Sequence, residues 1–307
     1  MSAYFKRVGC NGMGYPPTIV KKILHTFVHP LMEYGLGLQH LRKRERNKLD
    51  QSWFQIWKHN QSLPRSTSSL AILKTFRSPA MSYRNAKLNA GYFARLQTME
   101  ADSLARKIYE QVSITTRSCS RYNVIKKSKD NHIWSQVQEW LMKKHSYKKV
   151  KASREWKALD LEHLQNIANS DSLIARHIRR KIAQAIRVPS MKLDYFLTRR
   201  ALTDKAKKMR RHILLWKLGV LPGEVKVCKG CSGVEVTTRD HVVRCAISGT
   251  KHNTGPGDHD TNTLDIMFNN SNAISTGKQM AKIEELLNYI IQNCLGRGEG
   301  CSRENDM

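Results

Sequence analysis

The sequence predicts a mainly α-helical protein with a small Cys/His module near its C-terminal end. Apolar residues recur at spacings of three and four along most of the chain, which is the period of an amphipathic helix. A length of 307 residues allows two domains, or one domain with appended modules, and the hydrophobic fraction of 40% is enough to build a core. Residues 113–130 are crowded with Ser, Thr, Arg and Lys, so we expect a linker there.

The first helical region is expected to cover residues 1–112. Pro16 and Pro17 favour a helix start, and Pro30 should bend or end that helix, because proline lacks the N–H that a helix interior needs. A second helix is expected from Leu41 to Asn60, with Arg and Lys on one face and four large apolar residues on the other: Leu49, Trp53, Ile56 and Trp57.

The segment Leu63–Thr67 interrupts the helical pattern and offers Ser66 or Thr67 as the N-cap of the next helix. From about Ser82 we expect one long helix, marked by an apolar series at helical spacing: Leu88, Tyr92, Leu96, Leu104 and Ile108.

Residues 131–221 are expected to form basic helices. The segment Asn131–Lys144 has an amphipathic pattern that places Ile133, Val137, Trp140 and Leu141 on one face. The glycine- and proline-containing run at 219–223 predicts a helix end.

Between Leu202 and Val220 an apolar stripe opposes a basic one. The apolar stripe comprises Leu202, Ala206, Met209, Ile213 and Trp216. The basic stripe comprises Arg200, Lys207 and Arg211, with Lys208 beside them. No Glu is interleaved for pairing at i,i+4, so the basic stripe favours phosphate contact over an ordinary solvated face.

The charge balance points to a polyanionic partner. The chain carries 53 Lys and Arg against 25 Asp and Glu, a formal net charge of +28. Residues 121–220 hold 25 basic and 8 acidic residues, and so contribute +17. An acidic membrane is the competing partner, but neither terminus has an amphipathic helix with an aromatic apolar face. RNA or DNA is therefore favoured. Two further basic clusters are candidates for contact: Arg176, Arg179, Arg180 and Lys181, and Lys143, Lys144, Lys148 and Lys149.

The Cys/His module at residues 222–250 has the pattern Cys-x2-Cys-x9-His-x3-Cys, formed by Cys228, Cys231, His241 and Cys245. Two thiolates on a tight turn bind a metal ion from one side, and a His and a Cys one helical turn apart complete a tetrahedron. Three thiolates and one imidazole suit a structural Zn²⁺ site without a catalytic water. The alternatives are a reduced Cys-x2-Cys beside an unrelated His and Cys, and a redox motif, which no strand–helix pattern supports.

The remaining segments are simpler. Residues 251–277 are too polar to pack and are expected to form a mobile loop. Residues 278–307 are expected to form a helix and a frayed tail. The other cysteines lack framework spacing, and the segment 1–7 lacks the apolar run of a signal peptide, so we expect an intracellular, reducing location, nuclear or cytoplasmic.

Three blocks, in order, resemble the region behind the polymerase palm in reverse transcriptases of non-LTR retrotransposons. They are His25–Leu36; Leu63–Thr67 with Met81–Arg84 downstream; and Arg211–Gly219 followed by the Cys/His cluster. The resemblance runs from about residue 4 to 245. It implies a helical thumb-like bundle in residues 1–112 that holds a template–primer duplex, and a zinc module that contacts RNA or target DNA.

The resemblance also implies what this chain lacks. Polymerase chemistry needs carboxylates that converge on Mg²⁺, and in that family they lie N-terminal to the matched region. No two Asp residues are adjacent in this sequence, and no Pro-Asp endonuclease motif comes after the Cys/His cluster. We therefore expect no catalytic residues and no enzyme activity. The scattered acids are expected to be solvated helix surface: Asp50, Asp102, Asp160 and Asp194.

Three functional hypotheses remain. The preferred one is a non-catalytic, nucleic-acid-binding fragment of an RNA-directed DNA polymerase, able to associate with the missing palm. The second is an active polymerase with unrecognised carboxylates, and the third a host-adopted helical zinc adaptor that binds proteins. The six tryptophans are expected to pack in the core rather than to stack on bases, and Glu33 with Tyr34 to anchor a turn.

Overall fold

The computed structural model describes residues 12–39, 41–115, 132–167, 203–221 and 290–294. It also describes isolated residues outside these ranges: Arg7, Cys10, Ile182, Ile186, Val188, Leu197, His241, Glu284, Glu285, Leu287 and Asn288. Every regular element assigned in these ranges is helical, which confirms the prediction of a mainly α protein.

The first helix is bent, as predicted from Pro30. It consists of α1 (Pro17–Ile23), a π-helical segment (Leu24–Val28) and α2 (His29–Glu33). The His29 N–H bonds to the Leu24 carbonyl, one residue further back than in an α-helix. A wider turn just before a proline accommodates its ring and its missing N–H. Gly35 at φ +74° then reverses the chain into a 3₁₀ turn (Leu36–Leu38).

Helix α3 (Lys43–Asn60) begins two residues after the predicted start and buries Trp53 and Trp57 completely. Helix α4 (Ser69–Thr75) is capped by Ser68, whose hydroxyl accepts the Ala71 N–H at 3.4 Å. The prediction of Ser66 or Thr67 as N-cap was therefore wrong. The Thr67 N–H closes a turn onto the Pro64 carbonyl, and Ser68 follows with the extended backbone of an N-cap.

The predicted long helix is two helices, α5 (Met81–Gln97) and α6 (Leu104–Thr115). Helix α5 ends at Thr98, its C-cap residue, whose hydroxyl donates to the carbonyls of Ala94 and Arg95. Ser103 starts α6 by accepting the Arg106 N–H at 3.3 Å. Apolar spacing continued across the break and concealed these two caps. Because α6 extends to Thr115, residues 113–115 of the predicted linker are helical, and the rest of the linker lies outside the described residues.

Four more helices complete the described ranges: α7 (His132–Lys144), α8 (Tyr147–Ala152), α9 (Arg154–Asn166) and α10 (Asp204–Lys217). The predicted apolar face of α7 is confirmed. The predicted helix end at Gly219 is also confirmed. Gly219 lies at φ +75°, and the Val220 N–H bonds to the Leu215 carbonyl at 2.9 Å, the Schellman pattern. A π-helical segment, Ile290–Cys294, lies near the C-terminal end.

Among the described residues two apolar clusters form the core, and α5 contributes to both. The first packs α1, α3 and α4 against α10, and includes Leu287 and Ile290 from the C-terminal end. The second packs the C-terminal half of α5 and α6 against α7, α8 and α9. Both clusters therefore contain residues from each side of the predicted linker. The predicted packing of the tryptophans is confirmed: four are buried and two, Trp140 and Trp156, are half-buried against the second cluster.

Candidate nucleic-acid interface

A corner of three helices, α7, α8 and α9, carries a cluster of exposed basic residues. His145 at φ +51° turns the chain from α7 towards α8. Ser153 then caps α9 by accepting the Trp156 N–H at 3.3 Å. The inner side of the corner is fixed by Val150, which is fully buried, and by Tyr147 and Trp156, which contact each other edge to face.

The corner packs against α5 at Gly91. A Cβ added at Gly91 would lie 3.0 Å from the Tyr147 hydroxyl and 3.3 Å from the Trp156 ring. A side chain here would push the corner outwards, since these distances are shorter than ordinary van der Waals contact. The close approach of the two aromatic rings therefore fixes α8 and α9 on α5, and leaves their outer faces in solvent.

Five basic residues occupy those outer faces, and this set is named the lysine surface: Lys148, Lys149, Lys151, Arg154 and Lys157. All five are exposed, and none has an ion-pair partner among the residues that the structure describes. The sequence predicted the first two as part of a cluster and missed the other three. The sequence feature that could have identified these three residues is the near absence of acids around them, since Glu155 is the one acid between Lys143 and Lys157.

The predicted contacts Lys143 and Lys144 border the lysine surface but are paired. Lys143 Nζ donates to Glu139 at 2.6 Å, and Lys144 Nζ donates to Glu155 at 2.9 Å. The Glu139 hydrogen bond raises the pKa of Lys143. The Lys143 pair is exposed and the Lys144 pair is partly exposed, so a phosphate can replace either carboxylate at little cost.

The predicted basic stripe on α10 is divided by the structure. Lys208 is exposed, whereas Lys207 pairs with Asp204 at 2.9 Å, an acid at i−3. Arg211 is half-buried and its guanidinium donates to the Ser62 carbonyl at 3.4 Å. The opposing apolar stripe is confirmed at Met209, Ile213 and Trp216, but Ala206 is exposed on the first turn. Helix α10 is also buried more widely than one stripe, through Leu214 and Leu215.

Other predicted site residues fall outside the described residues: Arg176, Arg179, Arg180, Arg200, Cys228, Cys231 and Cys245. His241 is described, helical and only 7% exposed, as suits a side chain held in a small module. Within the described ranges, no group of three or more His, Cys, Asp or Glu side chains could hold a metal ion. The predicted zinc site thus rests on its donor set of three thiols and an imidazole, a set that fits tetrahedral Zn²⁺.

Two acids that the sequence predicted to be solvated are structural. Asp50 on α3 accepts the Ser82 N–H at 2.8 Å and the Ser82 hydroxyl at 2.6 Å, so it caps α5 from a neighbouring helix. Asp160 on α9 accepts a hydrogen bond from Lys87 on α5 at 2.8 Å, with both side chains largely buried. The prediction was wrong for both residues, while Asp102 is exposed as expected and Asp194 lies outside the described residues.

A buried polar joint connects α2, α5 and α9. Glu33 accepts from Arg84 Nε at 2.7 Å and lies 3.6 Å from His29 Nδ1. His163 on α9 stacks on Tyr83 of α5 with ring centroids 3.9 Å apart. Burial lowers the pKa of His29 and of His163 to about 4 each, and lowers that of His25 to about 3. Burial and then Asp160 raise the pKa of Tyr83.

Of the two residues predicted to anchor a turn, Glu33 is held by contacts and Tyr34 is not. Glu33 is bound within the joint, but Tyr34 is 91% exposed and anchors nothing in the described part of the chain.

A second basic surface, which the sequence did not single out, lies at the start of α3, where five Arg and Lys residues between 42 and 48 are exposed.

Comparison with protein-family models, curated proteins and solved structures finds no match to this chain. Among the described residues, no helix has the length and apolar character needed to cross a membrane.

Proposed function

We propose that this chain is a non-catalytic, nucleic-acid-binding region from the C-terminal part of a retrotransposon RNA-directed DNA polymerase. The observation that carries the proposal is the lysine surface, where five exposed cations lie together without carboxylate partners among the described residues. Cations that were ordinary solvated positions would more often be interleaved with acids at i,i+4. The formal net charge of +28 adds a long-range attraction for any polyanion.

The lysine surface suits phosphates rather than bases. Lysine is a compact point charge that contacts phosphate oxygens without selecting a base edge. Helices α8 and α9 are held on α5 by Tyr147 and Trp156, so the backbone positions that carry the cations are fixed relative to one another. The expected ligand is therefore the sugar–phosphate backbone of RNA or DNA, bound with little sequence preference.

The zinc module would support this function without taking part in chemistry. Cys228, Cys231, His241 and Cys245 would hold one structural Zn²⁺, and the ion would fold the module around it. No side chain of the chain is assigned a catalytic role.

A charge-reversal experiment tests the proposal. The variant Lys148→Glu/Lys149→Glu/Lys151→Glu removes the centre of the lysine surface, and fluorescence anisotropy measures its binding to a labelled RNA–DNA duplex across a salt series. Each phosphate contact contributes roughly 0.7–0.9 log units of affinity per log unit of salt. We expect the triple variant to bind more weakly, with a slope lower by roughly two units.

The matched control is Lys22→Glu/Lys107→Glu/Lys205→Glu. It changes the net charge equally, but at three exposed positions scattered over α1, α6 and α10. If the control and the test variant lose the same affinity, the lysine surface has no special role. If wild-type protein does not bind nucleic acid at all, the adaptor hypothesis takes its place.

A further inference from the structure

One stretch of chain presents apolar and basic side chains to solvent together. The described residues 27–39 and 41–48 are named the aromatic–basic segment. Its exposed apolar residues are Phe27, Leu31, Tyr34 and Leu38, of which Tyr34 is 91% exposed. Its exposed basic residues are Arg42, Lys43, Arg44, Arg46 and Lys48. Neither set is explained by the core or by the lysine surface.

Packing and hydrogen bonds fix the backbone of the segment, so its apolar side chains are exposed in an ordered conformation. Phe27, Leu31 and Tyr34 succeed one another at helical spacing and share a face of the bent helix. The opposite face is buried in the first apolar cluster. Beyond Tyr34, Asn85 donates to the Leu36 carbonyl at 2.6 Å, and Asn89 donates to the Gln39 carbonyl at 3.1 Å. These two amides of α5 fix the turn that leads to α3.

The basic side chains of the segment outnumber the carboxylates near them: Arg46 interacts electrostatically with Asp50 but forms no ion pair with it. Its acid near the basic run, Glu45, accepts the Arg42 backbone N–H at 2.6 Å and so serves as a helix cap. The five basic side chains have no ion pair with any residue that the structure describes. The occupant of this surface must therefore be anionic and must also offer flat, apolar faces to Tyr34 and Phe27.

We propose that the aromatic–basic segment binds single-stranded nucleic acid, with Tyr34 stacking on a base and the cations at the start of α3 contacting the backbone. Single strands expose both base faces and phosphates, and aromatic side chains beside a basic track bind them without sequence selection. In a duplex the base faces are covered by their neighbours, so Tyr34 has no stacking partner. This inference rests on the proposed function and adds to it a strand preference at a second surface.

Two other occupants fit less well. A second copy of the chain would bring five cations against five others, which repel. An anionic lipid surface matches the charge, but it offers no flat ring for a tyrosine that projects from the end of α2. Both alternatives are outcomes of the binding test.

The test compares a labelled single strand with a duplex of the same length by fluorescence anisotropy. Tyr34→Ala should weaken single-strand binding roughly 5- to 150-fold, the range for losing one base stack. Duplex binding should change by less than about twofold, because phosphate contacts remain. Tyr34→Trp should keep single-strand affinity, since indole also stacks. The control Tyr15→Ala removes a half-exposed tyrosine outside the segment and should leave both affinities unchanged.

Several results would overturn the inference. Equal weakening of both ligands by Tyr34→Ala, or no change, removes the stacking role. If the lysine-surface triple variant alone loses binding, the proposed function stands and this inference fails. If wild type binds neither ligand, both fail. A membrane surface would be identified if the wild-type protein sediments with vesicles of phosphatidylcholine and phosphatidylserine, and if Tyr34→Ala loses this vesicle binding but still binds the single strand. A dimer in sedimentation velocity that Tyr34→Ala dissociates would identify a second copy.

Discussion

The buried histidines of the polar joint predict that the fold loses stability in mild acid. His163 illustrates the cause: its ring is stacked on Tyr83, and its Nε2 atom is buried with no hydrogen-bond partner in the described part of the chain. Burial lowers its pKa from 6.5 to about 4, an effect that the negative charge of Asp160 opposes. The ring is thus neutral in the folded protein at pH values where the unfolded chain is already protonated.

The sign and size of the effect come from proton linkage. Because the folded pKa is the lower one, the stability that His163 contributes is complete above pH 6.5 and is lost as the pH falls towards 4. One pKa unit corresponds to about 1.4 kcal/mol, so at pH 5 the unfolded state gains at most about 2 kcal/mol from this one residue. His25 and His29 act in the same direction because their pKa values are lowered as well, to about 3 and about 4, so the contribution of His25 is lost over a range that extends towards pH 3.

The variant His163→Phe isolates this contribution. Phenylalanine keeps a flat ring against Tyr83 but cannot take up a proton. Urea unfolding, monitored by the fluorescence of the buried tryptophans, gives the free energy of unfolding at pH 7 and at pH 5. We expect the loss between these two pH values to be smaller in His163→Phe than in wild type by about 2 kcal/mol.

The control is His145→Asn, which removes an exposed histidine at a left-handed position that asparagine also adopts. It tests whether removing any histidine has the same effect. If His163→Phe and wild type lose equal free energies of unfolding on acidification, then His163 is not held neutral by burial, and the argument for the joint is refuted.

Two further predictions concern the metal and the chemistry. Purified protein should contain one zinc per chain under reducing conditions. Cys231→Ser should remove the zinc but leave the far-ultraviolet circular dichroism signal of α1 to α10, because metal binding is coupled only to the folding of the local module. Substoichiometric zinc in the wild-type protein would contradict the predicted site. In a primer-extension assay with Mg²⁺ or Mn²⁺ the chain alone should incorporate no nucleotide, and template-directed incorporation above a no-protein control would show that carboxylates in this chain do assemble a catalytic site.

Sequence periodicity was informative where one face of a helix is buried. The apolar positions of α7 and the end of α10 at Gly219 are direct consequences of spacing and of the need for a left-handed residue. Local caps were missed when apolar spacing continued past them, as at Thr98 and Ser103. Periodicity averages over a window of residues, whereas a helix begins or ends at a single residue.

Contacts between distant elements could not be predicted in this way. The pairs Asp50–Ser82 and Lys87–Asp160 join residues far apart in sequence, and each acid resembles a surface residue until its partner is known. The same reason explains why the candidate site was only partly predicted. The pattern marked Lys148 and Lys149 as basic positions, but only the packing of Tyr147 and Trp156 against Gly91 shows which side of the corner faces solvent.

Net charge counts cations without regard to what they do in the fold. Lys21 donates to the Arg77 carbonyl at 2.6 Å, Lys58 to the Arg65 carbonyl at 2.8 Å, and Arg210 to the Gly14 carbonyl at 2.7 Å. Burial lowers the pKa of Lys21 to about 8, with a further contribution from Arg77. A phosphate cannot reach such groups without disturbing the backbone that they hold. The cations that cluster on exposed surface are those of the lysine surface and of the start of α3, and these are the positions at which charge reversal should change the salt dependence of binding most.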